Sequence, residues 1–203
     1  MHERGVNAPW WVPVVAGGAV LGLALGARHV QGLLLLPMSS GRGWSREGIA
    51  LAFAVQNLVW GAAQPLAGWW ADRHGSVRVL LLGALLYAAA LVGVATAPSV
   101  AVLFCFAGIV QGLALACTGF GVVYAAIGRL VAADRRGQAL GLAGAIGGLG
   151  QFVLVPLVQQ TIERHGWIAA VLGLAALLAL SASGTPQLDD RAASRTSPSA
   201  DQT

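Results

Sequence analysis

The chain has 203 residues, 57% of them hydrophobic and only 10% charged, with a formal net charge of +4. A soluble domain of this length carries roughly a quarter charged residues, so the balance excludes an ordinary water-soluble fold and places the chain in the membrane class. All twelve basic residues are arginines, and they sit at the ends of apolar runs rather than in a patch interleaved with aromatics, which excludes a nucleic-acid interface.

A membrane-crossing helix takes about 20 mostly apolar residues. Six runs qualify in chain order: Trp11–Leu36, Ile49–Ala71, Val77–Ala97, Val100–Gly128, Gln138–Ile162 and Trp167–Ser183. The expected fold is an all-α integral membrane bundle of six transmembrane helices. Residues 1–10 form a short leading segment, with a single Arg4 and no signal-peptide pattern, so no cleavage is expected. Residues 184–203 are rich in Ser, Thr, Asp, Arg and Pro and read as a disordered tail.

Arginine counts set the orientation. With the amino terminus inside, the inner side holds Arg4, Arg73, Arg78, Arg129, Arg135, Arg136, Arg191 and Arg195, and the outer side holds Arg42, Arg46 and Arg164. The excess predicts that both termini and the tail are cytoplasmic. Arg28 belongs to neither side; it lies inside the first run.

The chain repeats itself. Pro65-Leu66, followed after five residues by Asp72-Arg73-His74-Gly75, recurs 91 residues later as Pro156-Leu157 and Glu163-Arg164-His165-Gly166. The offset spans three helices, an odd number, so the second copy is inverted in the membrane. Two inverted three-helix repeats, about 11–97 and 100–183, are a transporter signature.

Polar residues are segregated. The third and sixth runs have almost none, and both are expected to face lipid nearly all round. On the second run Asn57, Gly61, Gln64 and Gly68 recur at helical spacing, and on the fifth Gly137, Gly141, Gly144, Gly148 and Gln151 do so. The glycine stripe Gly137, Gly141, Gly144 and Gly148 reads as a helix-packing face. The amides Gln56, Asn57, Gln64, Gln111 and Gln151 serve either as interhelical glue or as the lining of a pathway. Arg28 is the sharpest residue. A guanidinium inside a span needs a partner or a purpose, and no acid lies in any apolar run. Water, carbonyls, an amide such as Gln31, or an incoming anion remain as partners. Snorkelling to the interface is the plainer alternative, and neighbouring His29 reads as a packing or hydrogen-bonding group before a proton carrier. The substrate-pathway set is therefore Arg28, His29, Gln31, Asn57, Gln64, Gln111 and Gln151.

An intramembrane enzyme would need a nucleophile–base pair or metal ligands. There is no Gly-x-Ser-x-Gly or His-Glu-x-x-His, and His2, His29, His74 and His165 are scattered. No enzymatic activity, cofactor or metal is expected.

Gly68, Asp72, Arg73 and Gly75 resemble the Gly-x-x-x-Asp-Arg-x-Gly-basic signature of the major facilitator superfamily. Ser76 and Val77 stand where basic residues are usual, so Arg78 alone supplies that charge. The resemblance implies that Gly68, Asp72, Arg73, Gly75 and Arg78 form a conformational latch. Asp72 would be held there by a helix N-terminus or by an arginine of a neighbouring helix. A second stretch, Arg135-Arg136-Gly137-Gln138-Ala139-Leu140-Gly141-Leu142-Ala143 followed by Gly150-Gln151-Phe152 and Pro156-Leu157, is similar to the fifth helix of monocarboxylate and oxalate/formate transporters. Gly26-Ala27-Arg28, Gly43-Trp44-Ser45-Arg46 and Gln64-Pro65-Leu66-Ala67-Gly68 are similar to the first two helices of the same bacterial branch. Gln111-Gly112 is similar to a further family motif, with Gly108 where that motif has arginine.

The resemblance covers about residues 10–183 and implies the amino-terminal six-helix half of a twelve-helix transporter in a plasma (inner) membrane. The implied substrate is a small organic anion, monocarboxylate-like, coupled to a proton or a counter-anion and moved by alternating access. The missing half is to come from a second copy or another polypeptide. The competing reading is a truncated, non-transporting fragment or assembly module.

Overall fold

The computed structural model describes residues 9–184, helical almost throughout. The expectations for the first eight residues and for the tail beyond Gly184, including the inner charges Arg4, Arg191 and Arg195, fall outside the described residues. In chain order the helices are α1 (Trp11–His29), α2 (Gln31–Arg42), α3 (Arg46–His74), α4 (Ser76–Thr96) and α5 (Val100–Leu103). A π-helical segment (Phe104–Val110) follows, and then α6 (Gln111–Thr118), α7 (Phe120–Leu130) and α8 (Arg136–Gly184).

Six crossings follow from these elements. α1 and α2 make the first, interrupted only at Val30, whose N–H still reaches the Gly26 carbonyl at 3.1 Å, so the break is a kink. The helix runs past the expected end at Leu36 to Arg42, where Gly43 closes it with φ 66°. α3 begins at its Ser45 cap, whose hydroxyl accepts the Gly48 N–H at 3.1 Å. α5, the π segment, α6 and α7 make the fourth crossing, broken again at an extended Gly119. α8 is long enough to cross twice, and Gly166, at φ 83° and ψ 165°, divides it into two limbs. The 91-residue echo thus has a backbone counterpart. Gly75, at φ 93° and ψ 135°, ends α3 as Gly166 ends the first limb of α8, each ten residues beyond a proline within the helix. A side chain is strained at such angles, so glycine is required at both positions.

The third crossing corrects the sequence reading. α4 does not face lipid nearly all round; 61% of its most apolar stretch is buried inside the bundle, against 22% for α3. Glycine explains the difference. Gly93 leaves room for the Phe106 ring of the π segment, and Gly83 for Cys117 of α6. Small residues let neighbouring helices approach closely, and fully buried Tyr87 then bonds across to the Ala24 carbonyl at 3.2 Å. The second limb of α8 likewise buries one face, through Trp167, Val171, Leu174 and Leu178.

The α1–α8 contact also departs from expectation. Gly137, Gly141 and Gly148 meet no side chain within 4 Å, and Gly144 faces only the Tyr124 hydroxyl. The close approach runs instead through Gly147 and Gly150: a Cβ added at Gly150 would stand 2.9 Å from the Gly22 Cα. Gly18, Gly22 and Gly26 form the α1 side of this seam, against Ile146, Gly147 and Leu154.

Two apolar clusters fill the bundle. One gathers Met38, Tyr87, Leu103, Leu115 and Leu178; the other gathers Leu21, Leu80, Val123 and Ile127. At the Gly43 end, Arg42 lies 5.7 Å from the ring centres of both Trp44 and Trp167. It also donates to the Ala95 carbonyl at 3.1 Å. Cation–π contacts and a cation at the carboxyl end of α4 both favour this placement.

Candidate functional site

Arg28 occupies the last turn of α1, half-buried, immediately before the Val30 kink. Its Nε donates to Asn57 Oδ1 at 3.2 Å, and its Nη2 donates to the same oxygen. The Asn57 amide nitrogen is tied back to the Phe53 carbonyl at 2.8 Å, which fixes the oxygen toward the guanidinium. From one turn further along α3, the Trp60 ring underlies the guanidinium, 4.9 Å from Cζ to the ring centre. The partner is therefore an amide, one of the classes expected, but Asn57 across the helix pair rather than Gln31. Trp60 was not singled out from sequence, although its position three residues after Asn57 puts it on the same stretch of helix.

Neither neighbour carries a charge. An amide and an indole hold the guanidinium in place and leave its charge unneutralised. The side-chain nitrogens of Gln31 and of Trp60, the ring beneath the guanidinium, are buried with no hydrogen-bond partner among the described residues. Gln111 is 1% exposed and lies beside the Tyr87 hydroxyl, which bonds to Ala24 one turn before Arg28. Buried donors left open cost about 1–3 kcal/mol each. Gln56, fully buried with both amide atoms unpaired, adds a donor and an acceptor on α3.

Among the described residues, no hydrogen bond joins the other predicted side chains to Arg28 or Asn57. His29 is exposed and its Nδ1 lies 3.0 Å from the Leu25 carbonyl, a bond within its own helix. Gln64 is exposed and, with Gly68, Gly119 and Gly121, lines a crevice of about 40 Å³. Gln151 donates to the Gly147 carbonyl at 3.4 Å on its own helix.

The Gly68–Arg78 stretch forms a second polar centre at the α3–α4 turn. Asp72 Oδ1 meets Arg129 Nη2 at 2.6 Å, joining the end of α3 to the last turn of α7. Here the expected arginine of a neighbouring helix has an identity. Arg73 lies over the Trp69 ring at 5.7 Å, and Arg78 is exposed. A Cβ added at Gly68 would meet nothing within 4 Å, whereas Gly75 carries the positive φ on which the turn depends.

Comparison with known proteins extends these observations. Monocarboxylate transporter 11 of Mus musculus is 31% identical over 170 residues, covering 82% of this chain and 37% of that protein. Its counterpart from Homo sapiens is 29% identical over 170 residues, covering 82% of this chain and 35% of its own length. The oxalate:formate antiporter of Oxalobacter formigenes is 24% identical over 174 residues, 84% of this chain and 40% of that protein. The chain thus spans between 35% and 40% of the length of these relatives. Residues 8–201 match the Major Facilitator Superfamily. With five helices long and apolar enough to cross a membrane, the last long enough to do so twice, and a match across nearly all of its length, the chain is a multi-pass membrane protein that belongs to the major facilitator superfamily.

Proposed function

We propose that this chain is one six-helix half of a secondary transporter for a small organic anion of monocarboxylate type, working by alternating access. The observation that carries this reading is Arg28, a cation within the first crossing held by two uncharged partners. Asn57 and Trp60 orient it while leaving its charge for a ligand. Its planar fork suits a carboxylate. The names of the relatives point the same way, since two are monocarboxylate transporters and one exchanges oxalate for formate. Exchange in that relative also supports a counter-anion as the coupling partner.

A second half is part of the proposal. Asn57, Gly61 and Gln64 on α3 and Gly141, Gly148 and Phe152 on α8 are exposed, and an opposing six-helix unit would close a cavity over them. That unit is a second copy, a separate polypeptide or a continuation of the same protein. We further propose the orientation with both termini cytoplasmic, in a plasma membrane, which puts the Asp72–Arg129 pair on the cytoplasmic side as a latch for one conformation.

The test is uptake and exchange of labelled lactate, formate and oxalate by proteoliposomes holding the chain, alone and with a candidate second half. Counter-anion-dependent exchange is the expected result. Absence of exchange in both preparations would leave the competing reading, a non-transporting fragment or assembly module, which the 35–40% coverage of the relatives also accommodates.

A further inference from the structure

α3, α4 and α6 leave a cleft of about 380 Å³ beside the Gly75 turn, within the range of about 300–1,000 Å³ usual for small-molecule sites. Helical spacing builds it. On α3, Ala63, Ala67, Trp70 and His74 follow one another at i, i+4, i+7 and i+11 and form one wall. Leu86 of α4 and Leu113 of α6 complete the apolar part, together with Cys117. None of Arg28, Asn57 and Trp60 lines it, so it is separate from the candidate anion site.

Its chemistry changes along its length. The deep part is alanine and leucine. Towards the turn it meets Trp69, Trp70 and His74, with the Trp70 and His74 rings edge to face at 6.2 Å. Tryptophans at such a level mark the membrane–water interface. Arg73 stands over Trp69, and Arg78 is exposed on the α4 face that also presents Leu82 and Leu86. The acid of this turn, Asp72, is engaged by Arg129. Among the described residues neither Arg73 nor Arg78 has a carboxylate partner, so the mouth carries surplus positive charge.

An apolar slot ending in a basic, aromatic mouth at the interface matches an amphiphile with an apolar chain and an anionic head. We propose that this cleft seats an anionic phospholipid, with one acyl chain between α3, α4 and α6 and its phosphate at Arg73 and Arg78. Arginines near a membrane surface attract anionic lipid, and the slot turns that general attraction into a defined seat. The lipid would bridge the two helices on either side of the Gly75 turn.

Tryptophan quenching by lipids brominated on their acyl chains tests this on the full chain. The protein is reconstituted in phosphatidylcholine bilayers containing the same mole fraction of brominated phosphatidylglycerol or brominated phosphatidylcholine. The emission of Trp69 and Trp70 is isolated by subtracting that of a Trp69→Phe/Trp70→Phe variant. Brominated phosphatidylglycerol is expected to quench this component selectively, with a preference of about five-fold per arginine. An Arg73→Gln/Arg78→Gln variant, altered only at exposed positions, is expected to lose the preference while staying monodisperse. Equal quenching by the two lipids would reduce the cleft to ordinary annular contact and overturn the proposal. So would a preference that survives removal of both arginines, or an isolated component that neither lipid quenches, the mark of a cleft covered by protein.

Discussion

Arg28 and Arg129 are the same residue type put to opposite uses. Arg129 meets a carboxylate, Asp72, at 2.6 Å, at a helix end where both side chains reach solvent. Arg28 lies within a crossing, where charge is far more costly, yet among the described residues its side chain meets the Asn57 amide and the Trp60 ring. If stability alone governed these positions, the acid would sit beside Arg28, where a pair is weakly screened, and not beside Arg129, where it is worth little. The opposite arrangement holds. Under the proposed function, the arginine paired with an acid is a fastener and the one oriented by an amide and an indole is a receptor.

The most direct way to break this comparison is to convert one arginine into the other. Asn57→Asp would supply Arg28 with a carboxylate at the position the amide oxygen now holds. We expect the variant to lose carboxylate binding as fully as Arg28→Ala does, with a thermal midpoint no lower than that of the parent protein. A charged hydrogen bond contributes about 1.5–3 kcal/mol, so each substitution should weaken binding roughly 10- to 150-fold. Binding of a labelled monocarboxylate to the purified protein is the measurement. Undiminished binding by Asn57→Asp would show that the charge of Arg28 is not what the ligand meets. Arg28→Lys sharpens the point, because a lysine keeps the charge but loses the planar fork. Intermediate affinity is expected of it.

Trp60→Leu should have a smaller effect. The ring contributes a cation–π contact of about 0.5–2 kcal/mol, or roughly 2- to 30-fold in binding, and leaves the charge untouched. The loss should therefore be partial, and Trp60→Phe, which keeps an aromatic face, should recover most of it. Equal losses in the leucine and phenylalanine variants would mean that the buried indole N–H matters, rather than the ring beneath the guanidinium.

Much of this arrangement was legible in the sequence because it rests on simple physics. Six apolar runs of membrane-crossing length give six crossings, and the glycines Gly75 and Gly166, set in matched polar islands, both take a positive φ. Arg28 stood out because charge inside an apolar run is costly. What stayed hidden depends on tertiary packing. Nothing in Phe104–Val110 distinguishes it from an ordinary apolar helix, yet Phe106 enters the space left by Gly93 and the segment is wound as a π-helix. The fifth run has glycine at 137, 141, 144, 147, 148 and 150, so periodicity alone does not choose a face, and contact with Gly22 selects Gly147 and Gly150. Trp60 carries no signal in the sequence, although its ring face is what a guanidinium seeks. Arg129 was counted only for topology, as one of eight inner charges, while the acid it fastens lies 57 residues away.

The smallest effect is expected at that fastener, and its salt dependence makes it informative. An ion pair this exposed stabilises by about 0–1 kcal/mol. A double-mutant cycle with Asp72→Asn and Arg129→Gln, read by thermal unfolding in detergent, should give a coupling within that range. It should vanish at 1 M salt, where the screening length falls to about 3 Å. The grip of Arg28 on a ligand within the crossing should weaken far less over the same salt range. A coupling between Asp72 and Arg129 that persists in high salt would mean that the pair is shielded in the folded protein, and the contrast with half-buried Arg28 would fail. If the coupling is weak yet Asp72→Asn changes the rate of exchange in proteoliposomes, the pair acts on the balance between conformations rather than on folding, which is the role expected of a latch.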